Sequence, residues 1–151
     1  MPNYGCPKYW NQRYNKEGSN NPFDWLEDYF SLKGLLEKFL THKDMKILVI
    51  GCGNADFSAD LYDDGYENIV NVDISDVVIQ QMQEKHKERT KMQWLIMDIT
   101  DMKDFETDSF DLTIDKSFIF FLPAQLLWTG AVAMFESLYV NEKYDIFRQY
   151  H

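Results

Sequence analysis

At 151 residues the chain is long enough for one domain and too short for two, and its 45% apolar and 26% charged residues are those of a folded, water-facing protein. Twenty-five acidic residues against 15 basic ones give a net charge of -10, which repels phosphate backbones and excludes a basic stripe for nucleic acid. Such a field suits a basic protein or a cationic small molecule as partner.

The N-terminal segment Tyr9-Trp10-Asn11-Gln12-Arg13-Tyr14 is rich in aromatics and is followed by a turn-rich stretch, Glu17 to Pro22. It reads as an arm ahead of the main domain. It contains no apolar run of the kind a secretory signal needs, and the two cysteines, Cys6 and Cys52, have no metal-like spacing, so a reducing, cytoplasmic setting is expected. From Phe23 to Leu40 the residues Leu32, Leu35, Leu36, Phe39 and Leu40 recur at helical spacing, with Asn21 or Asp24 as the expected cap.

Lys46 to Ile50 is a short apolar run ending at Gly51, as a strand buried on both faces of a parallel sheet requires. Ala55 to Asp64 reads as a helix stopped by Gly65, Ile69 to Asp73 as a second strand, and Asp76 to Glu88 as a helix with Val78, Ile79 and Met82 on one face. Strands at Gln93 to Met97 and Phe110 to Asp115 follow, joined by a loop or short helix. The alternation predicts an α/β fold with a doubly wound parallel sheet.

Ligands of such sheets bind beyond the carboxyl ends of the strands, where this sequence places Gly51-Cys52-Gly53-Asn54, Asp73, Asp98 and Asp115. A glycine pair lets the backbone approach a ligand, and an acid about 20 residues later can accept both hydroxyls of a ribose. Asp73 stands at that distance from Gly53. A Gly-x-Gly alone also suits a tight turn with no ligand, but its strand and helix context favours a nucleoside crevice. The third glycine of a dinucleotide fingerprint is replaced by Asp56, whose carboxylate is expected to face the two phosphates. S-adenosyl-L-methionine has the same adenosine with a sulfonium and an amino acid instead, so these residues favour a methyl donor over NAD.

With these residues the chain resembles the class I, Rossmann-like methyltransferases, and within them the branch that includes lysine methyltransferases of translation elongation factor 1-alpha. The arm is similar to that branch's YWxxRY motif, Phe23-Asp24-Trp25 to its aromatic-Asp-Trp motif, and Val49 to Asn54 to its glycine loop. Gly65-Tyr66 with Val72-Asp73-Ile74-Ser75, then Met97-Asp98-Ile99 and Ile114-Asp115-Lys116, resemble its later motifs. The resemblance implies cofactor contacts from Trp10, Tyr14, Trp25, Gly51, Asp73, Ile74, Asp98, Ile99 and Lys116, and a protein substrate with an acceptor lysine, elongation factor 1-alpha among the candidates. Each has a simpler use: Trp10, Tyr14 and Trp25 as core caps, Asp98 as a turn residue before Thr100, and Lys116 as a solvated lysine. The implied reaction is direct displacement at the methyl carbon, driven by proximity and alignment worth roughly 7–11 kcal/mol of barrier. Asp115 is assigned to positioning in it, because a carboxylate attracts an incoming cation while opposing its deprotonation.

Three regions are expected: an aromatic arm and helix (1–45), an S-adenosylmethionine-binding core (46–116) and a divergent apolar tail (117–151). The resemblance is expected to fail after Lys116, leaving the sheet incomplete at its C-terminus. Ser117 to Phe135 carries no charge and approaches the length of a membrane helix, although Pro123, Gln125 and Thr129 oppose that reading. The functions open to the chain are a protein-lysine methyltransferase, a small-molecule methyltransferase, and a non-catalytic cofactor- or partner-binding form. A nicotinamide oxidoreductase is disfavoured by Asp56.

Overall fold

The computed structural model describes residues 5–18, 21–23, 27–106 and 108–115. In chain order these residues form α1 (Pro7–Glu17), α2 (Tyr29–Leu36), β1 (Ile47–Ile50), α3 (Phe57–Asp63), β2 (Ile69–Asp73), α4 (Asp76–Lys85), β3 (Gln93–Ile96) and β4 (Leu112–Asp115). The strands make one parallel sheet in the order β3-β2-β1-β4. Every residue of β1, β2 and β4 is buried, which is why β1 reads as an unbroken apolar run and the other two are mainly apolar. At the edge, β3 is only partly covered, and Ile96 remains 56% exposed.

Side chains alternate between two clusters. Ile47, Val49, Ile69, Trp94, Leu112 and Ile114 pack with Tyr14, Leu36, Phe57, Leu61, Val78 and Met82 from the four helices. On the other face Leu48, Ile50, Val70 and Val72 are covered by Met97, Ile99, Met102, Phe105 and Phe110 from the β3–β4 connection. Each fully buried Leu, Ile or Phe in these clusters contributes about 1.5–3 kcal/mol. Among the described residues the helices therefore lie against one face, and the other is covered by turns; the short helix allowed between the last two strands does not form. A buried amide ties the inner strands to the edge: Asn71 donates from Nδ2 to the Gln93 carbonyl (3.1 Å) and accepts from the Ser58 hydroxyl.

The expected helix over 23–40 is shorter than its apolar spacing suggested, and its cap is neither Asn21 nor Asp24. Asp28 caps α2, accepting from Ser31 N–H at 2.8 Å, so the helix starts where a carboxylate can reach the first free amides. Asn21 is exposed and Asp24 lies outside the described residues. No helix among the described residues is long and apolar enough to cross a membrane, and the uncharged segment 117–135 lies outside them.

Candidate functional site at the carboxyl ends of the strands

After β1 the chain must turn away within three residues while keeping its backbone against the sheet. Gly51 and Gly53 do this with φ of 60° and 53°, a region where a side chain costs roughly 1–2 kcal/mol. Between them Cys52 is buried, and its N–H donates to the Val72 carbonyl at 3.1 Å, holding the turn against β2. Burial pushes the Cys52 thiol well up, so it is an inert packing group.

Asp73 ends β2 directly beside this turn. Its Oδ2 accepts from Gly53 N–H (3.0 Å) and its Oδ1 from Ser75 N–H (2.9 Å), while the side chain is only 8% exposed. Burial raises its pKa, and the backbone N–H groups of Ser75, Gly53 and Ile74 oppose that rise. No Lys or Arg among the described residues forms an ion pair with it. Each carboxylate oxygen has a second lone pair free of these bonds, so the group can still accept two O–H donors. Ser75 caps α4, accepting from Val78 N–H at 3.3 Å.

Helix α1 lies across this end of the sheet. Pro7 starts it, its missing N–H costing nothing in the first turn. Tyr14, 5% exposed, packs its hydroxyl so close to Gly53 that a Cβ there would sit 2.9 Å from it. Burial, then the neighbouring Asp73 and Cys52, push the Tyr14 phenol far above its ordinary range. Trp10 stacks on Tyr14 with centroids 6.0 Å apart, and the Arg13 guanidinium lies 5.6 Å from the Trp10 ring and 5.3 Å from that of Phe23. Asn11 accepts from the Ser75 hydroxyl (2.6 Å) and donates to Asp76, while Gln81 donates to the Tyr14 carbonyl (3.2 Å).

The remaining expected positions divide. Ile74 follows Asp73 and is half-buried, and Ile99 packs under the far face of the sheet. Asp98 is exposed and holds a turn, its Oδ1 accepting from Thr100 N–H (2.9 Å) and Thr100 Oγ1 (2.7 Å). Asp115 is buried at the end of β4, in register with Ile50 and thus one residue from Gly51. Trp25 and Lys116 lie outside the described residues. Asp56 does not face the strand ends as expected: its carboxylate pairs with Lys85 of α4, and His86 stands 3.8 Å away. Its charge is therefore compensated by Lys85, and the exclusion of phosphates cannot rest on it alone. Asn11, Asn54 and Ser75 stand inside the arm, glycine-loop and second-strand motifs, but the sequence assigned none of them a role of its own; only Ser75, standing before a helical pattern, carried a local signal for one.

A parallel sheet in this order, with two left-handed glycines after the first strand and a buried carboxylate ending the second, defines a nucleoside-binding Rossmann-like domain. The methyltransferase domain family matches residues 47–138, more than half of the chain, and the chain belongs to that family. That match runs past Lys116 into the apolar segment. The chain is 43% identical over 114 residues to the eEF1A lysine and N-terminal methyltransferase of Homo sapiens and 38% identical over 113 residues to EEF1A lysine methyltransferase 4 of Mus musculus. Each alignment covers 75% of this chain but only 16% and 44% of the respective relative, so the chain spans less than half the length of either. The branch expected from the arm and glycine-loop motifs is the one found.

Family membership implies S-adenosylmethionine as methyl donor. The residues present fit it: Asp73 has acceptor capacity for a ribose diol, and a buried carboxylate with no cation paired to it among the described residues favours a positively charged ligand nearby.

Proposed function

We propose that this chain binds S-adenosyl-L-methionine at the strand ends and directs its methyl group to a lysine amine of a protein, elongation factor 1-alpha being the first acceptor to try. The observation that carries this reading is Asp73, buried against the Gly53 amide with its outer lone pairs unspent. The relatives' names supply the acceptor class, and the net charge of -10 suits a basic protein.

The bound donor supplies an electrophilic methyl group on a sulfonium, so the protein needs no nucleophile of its own. What the chain contributes is position. Asp73 orients the ribose, Gly51 and Gly53 admit the ligand close to the backbone, and Ile74, Asp98 and Ile99 border the nucleobase. Trp10 and Tyr14 of α1 shut water out, and Trp25 and Lys116 are the further cofactor contacts that the family resemblance implies. Asp115 steers the incoming lysine. That amine must lose a proton from a solution pKa of about 10.4, and a carboxylate beside it works against the loss. Asp115 therefore orients the acceptor, and desolvation among the aromatics lowers its pKa. In this scheme residues 1–45 form the cover, 46–116 carry the cofactor contacts, the family domain continues to residue 138, and the protein works in the cytoplasm.

A calorimetric titration with S-adenosylhomocysteine, run on the chain and on Asp73→Ala, tests the first half. Binding by the parent and its loss in the variant support the site; equal binding by both sinks it. Transfer of labelled methyl to elongation factor 1-alpha tests the second half. Binding with no transfer to any protein or small molecule would leave a cofactor-binding domain without catalysis.

A further inference from the structure

Tyr14 can cover Asp73 only while α1 stays down, and three amide side chains hold it there. Asn54 follows Gly53 in the turn and is only 2% exposed; its Nδ2 donates to both the Gly18 carbonyl (3.2 Å) and the Asn21 carbonyl (2.9 Å). A primary amide has two N–H groups, and both are used on the segment where the chain leaves α1. At the other end of the contact Asn11 takes the Ser75 hydroxyl and gives to Asp76, the first residues after Asp73-Ile74. Gln81 holds the carbonyl of Tyr14 itself.

These tethers connect the arm to the two loops that build the strand-end site, one loop from each side. Those of Asn54 and Gln81 join neutral groups to the backbone of the arm, and that of Asn11 reaches the Ser75 hydroxyl and the Asp76 carboxylate. The family match begins at residue 47, so α1 and Asn11 lie outside it.

We infer that Asn54 and Asn11 are positioning residues that hold the Tyr14 ring over Gly53 and Asp73 and thereby set how long the cofactor stays bound. This rests on the cofactor reading proposed above. Neither asparagine touches the ligand in this scheme; both act through Tyr14. Loss of either frees one end of α1, and ligand release speeds up while encounter is unchanged.

The test measures the release rate of S-adenosylhomocysteine by stopped flow from the full chain and from Asn54→Ala, Asn11→Ala, Tyr14→Ala and the Asn54→Ala/Tyr14→Ala double variant. Each asparagine variant is expected to release the ligand about tenfold faster, the scale of one or two lost hydrogen bonds. Adding Asn54→Ala to Tyr14→Ala is expected to change nothing further, because the group being positioned is gone. A purely structural role predicts the same factor in both backgrounds, and that result, or unchanged release from the single variants, overturns the inference. Asn11, half-buried on a surface helix, provides the same comparison with Tyr14→Ala if Asn54→Ala does not fold. Failure of the parent chain to bind overturns both this inference and the function it rests on; binding by the parent with unaltered variants overturns this one alone.

Discussion

Two aspartates stand close together in the chain and are treated in opposite ways. Asp64, at the C-terminal end of α3, is surrounded by donors: Tyr29 Oη, Lys33 Nζ at 3.0 Å, and Lys43 Nζ at 3.8 Å, with Lys43 also donating to its backbone carbonyl. Those hydrogen bonds hold its pKa below the ordinary carboxylate range. Among the described residues Asp73 accepts from backbone amides, is more deeply buried, and has its pKa raised. The first carboxylate is saturated and fastens α2 to α3. The second keeps acceptor capacity and, among the described residues, meets no counter-charge, a cost in folding that a bound ligand can offset. The end of the molecule built for stability and the end built for binding differ in how completely they satisfy a charge.

The largest effect expected is on Asp73. Asp73→Ala should weaken S-adenosylhomocysteine binding about 100-fold, as loss of two charge-assisted bonds implies, while in stability the relief of a buried charge partly offsets the Gly53 and Ser75 N–H groups left without an acceptor. Asp64→Ala should do the reverse. It leaves the fully buried Tyr29 hydroxyl without its acceptor, at about 1–3 kcal/mol in chemical denaturation, with ligand affinity unchanged. If Asp64→Ala weakens binding as much as stability, the division between the two ends fails.

Gly53→Ala sharpens the comparison because it strains the binding end without touching a charge. The new Cβ meets the Tyr14 hydroxyl and forces an unfavourable φ, so stability should fall by about 1–2 kcal/mol and affinity with it. A crystal structure of the variant with Tyr14 unmoved would contradict the packing described.

The smallest effect concerns His86, which burial and then Arg89 and Lys85 hold neutral, its pKa pushed down to about 4. The unfolded chain's histidine titrates near 6.5. Between these values the unfolded chain binds the extra proton, so stability falls as pH drops from about 6.5 towards 4. His86→Gln should remove about 1 kcal/mol of that fall, read as the difference between the two proteins' melting curves across the window. Identical pH dependence would show that the imidazole is free to charge in place.

Much of this was legible beforehand, for stated reasons. Ile69–Asp73 forms the strand expected of it from first residue to last, because a strand buried on both faces is mainly apolar up to its ligand-bearing end, its one polar interior residue, Asn71, being hydrogen-bonded to Ser58 and Gln93. The glycine turn and Asp73 were found by spacing, which is a property of the chain. Helix ends were less visible: α4 stops at Lys85 and not Glu88, and α2 begins only after Asp28, since periodicity marks a face and not the last bonded turn. Asp56 shows the further gap. Its place beside the glycine turn was evident, but the direction of its side chain depended on Lys85, 29 residues away. The roles of Asn11 and Asn54 were hidden for the same reason, their partners being 64 and 33 residues distant.

The Asn71 amide offers one more lesson, about tolerance to change. It grips the carbonyl of Gln93, a group every amino acid has, and ignores the side chain. A slip of β3 by one residue would break that bond and strand a polar group inside the core, while replacement of Gln93 would not. The sheet edge thus has its alignment enforced from within, and its outer surface is free to drift in evolution without losing its place.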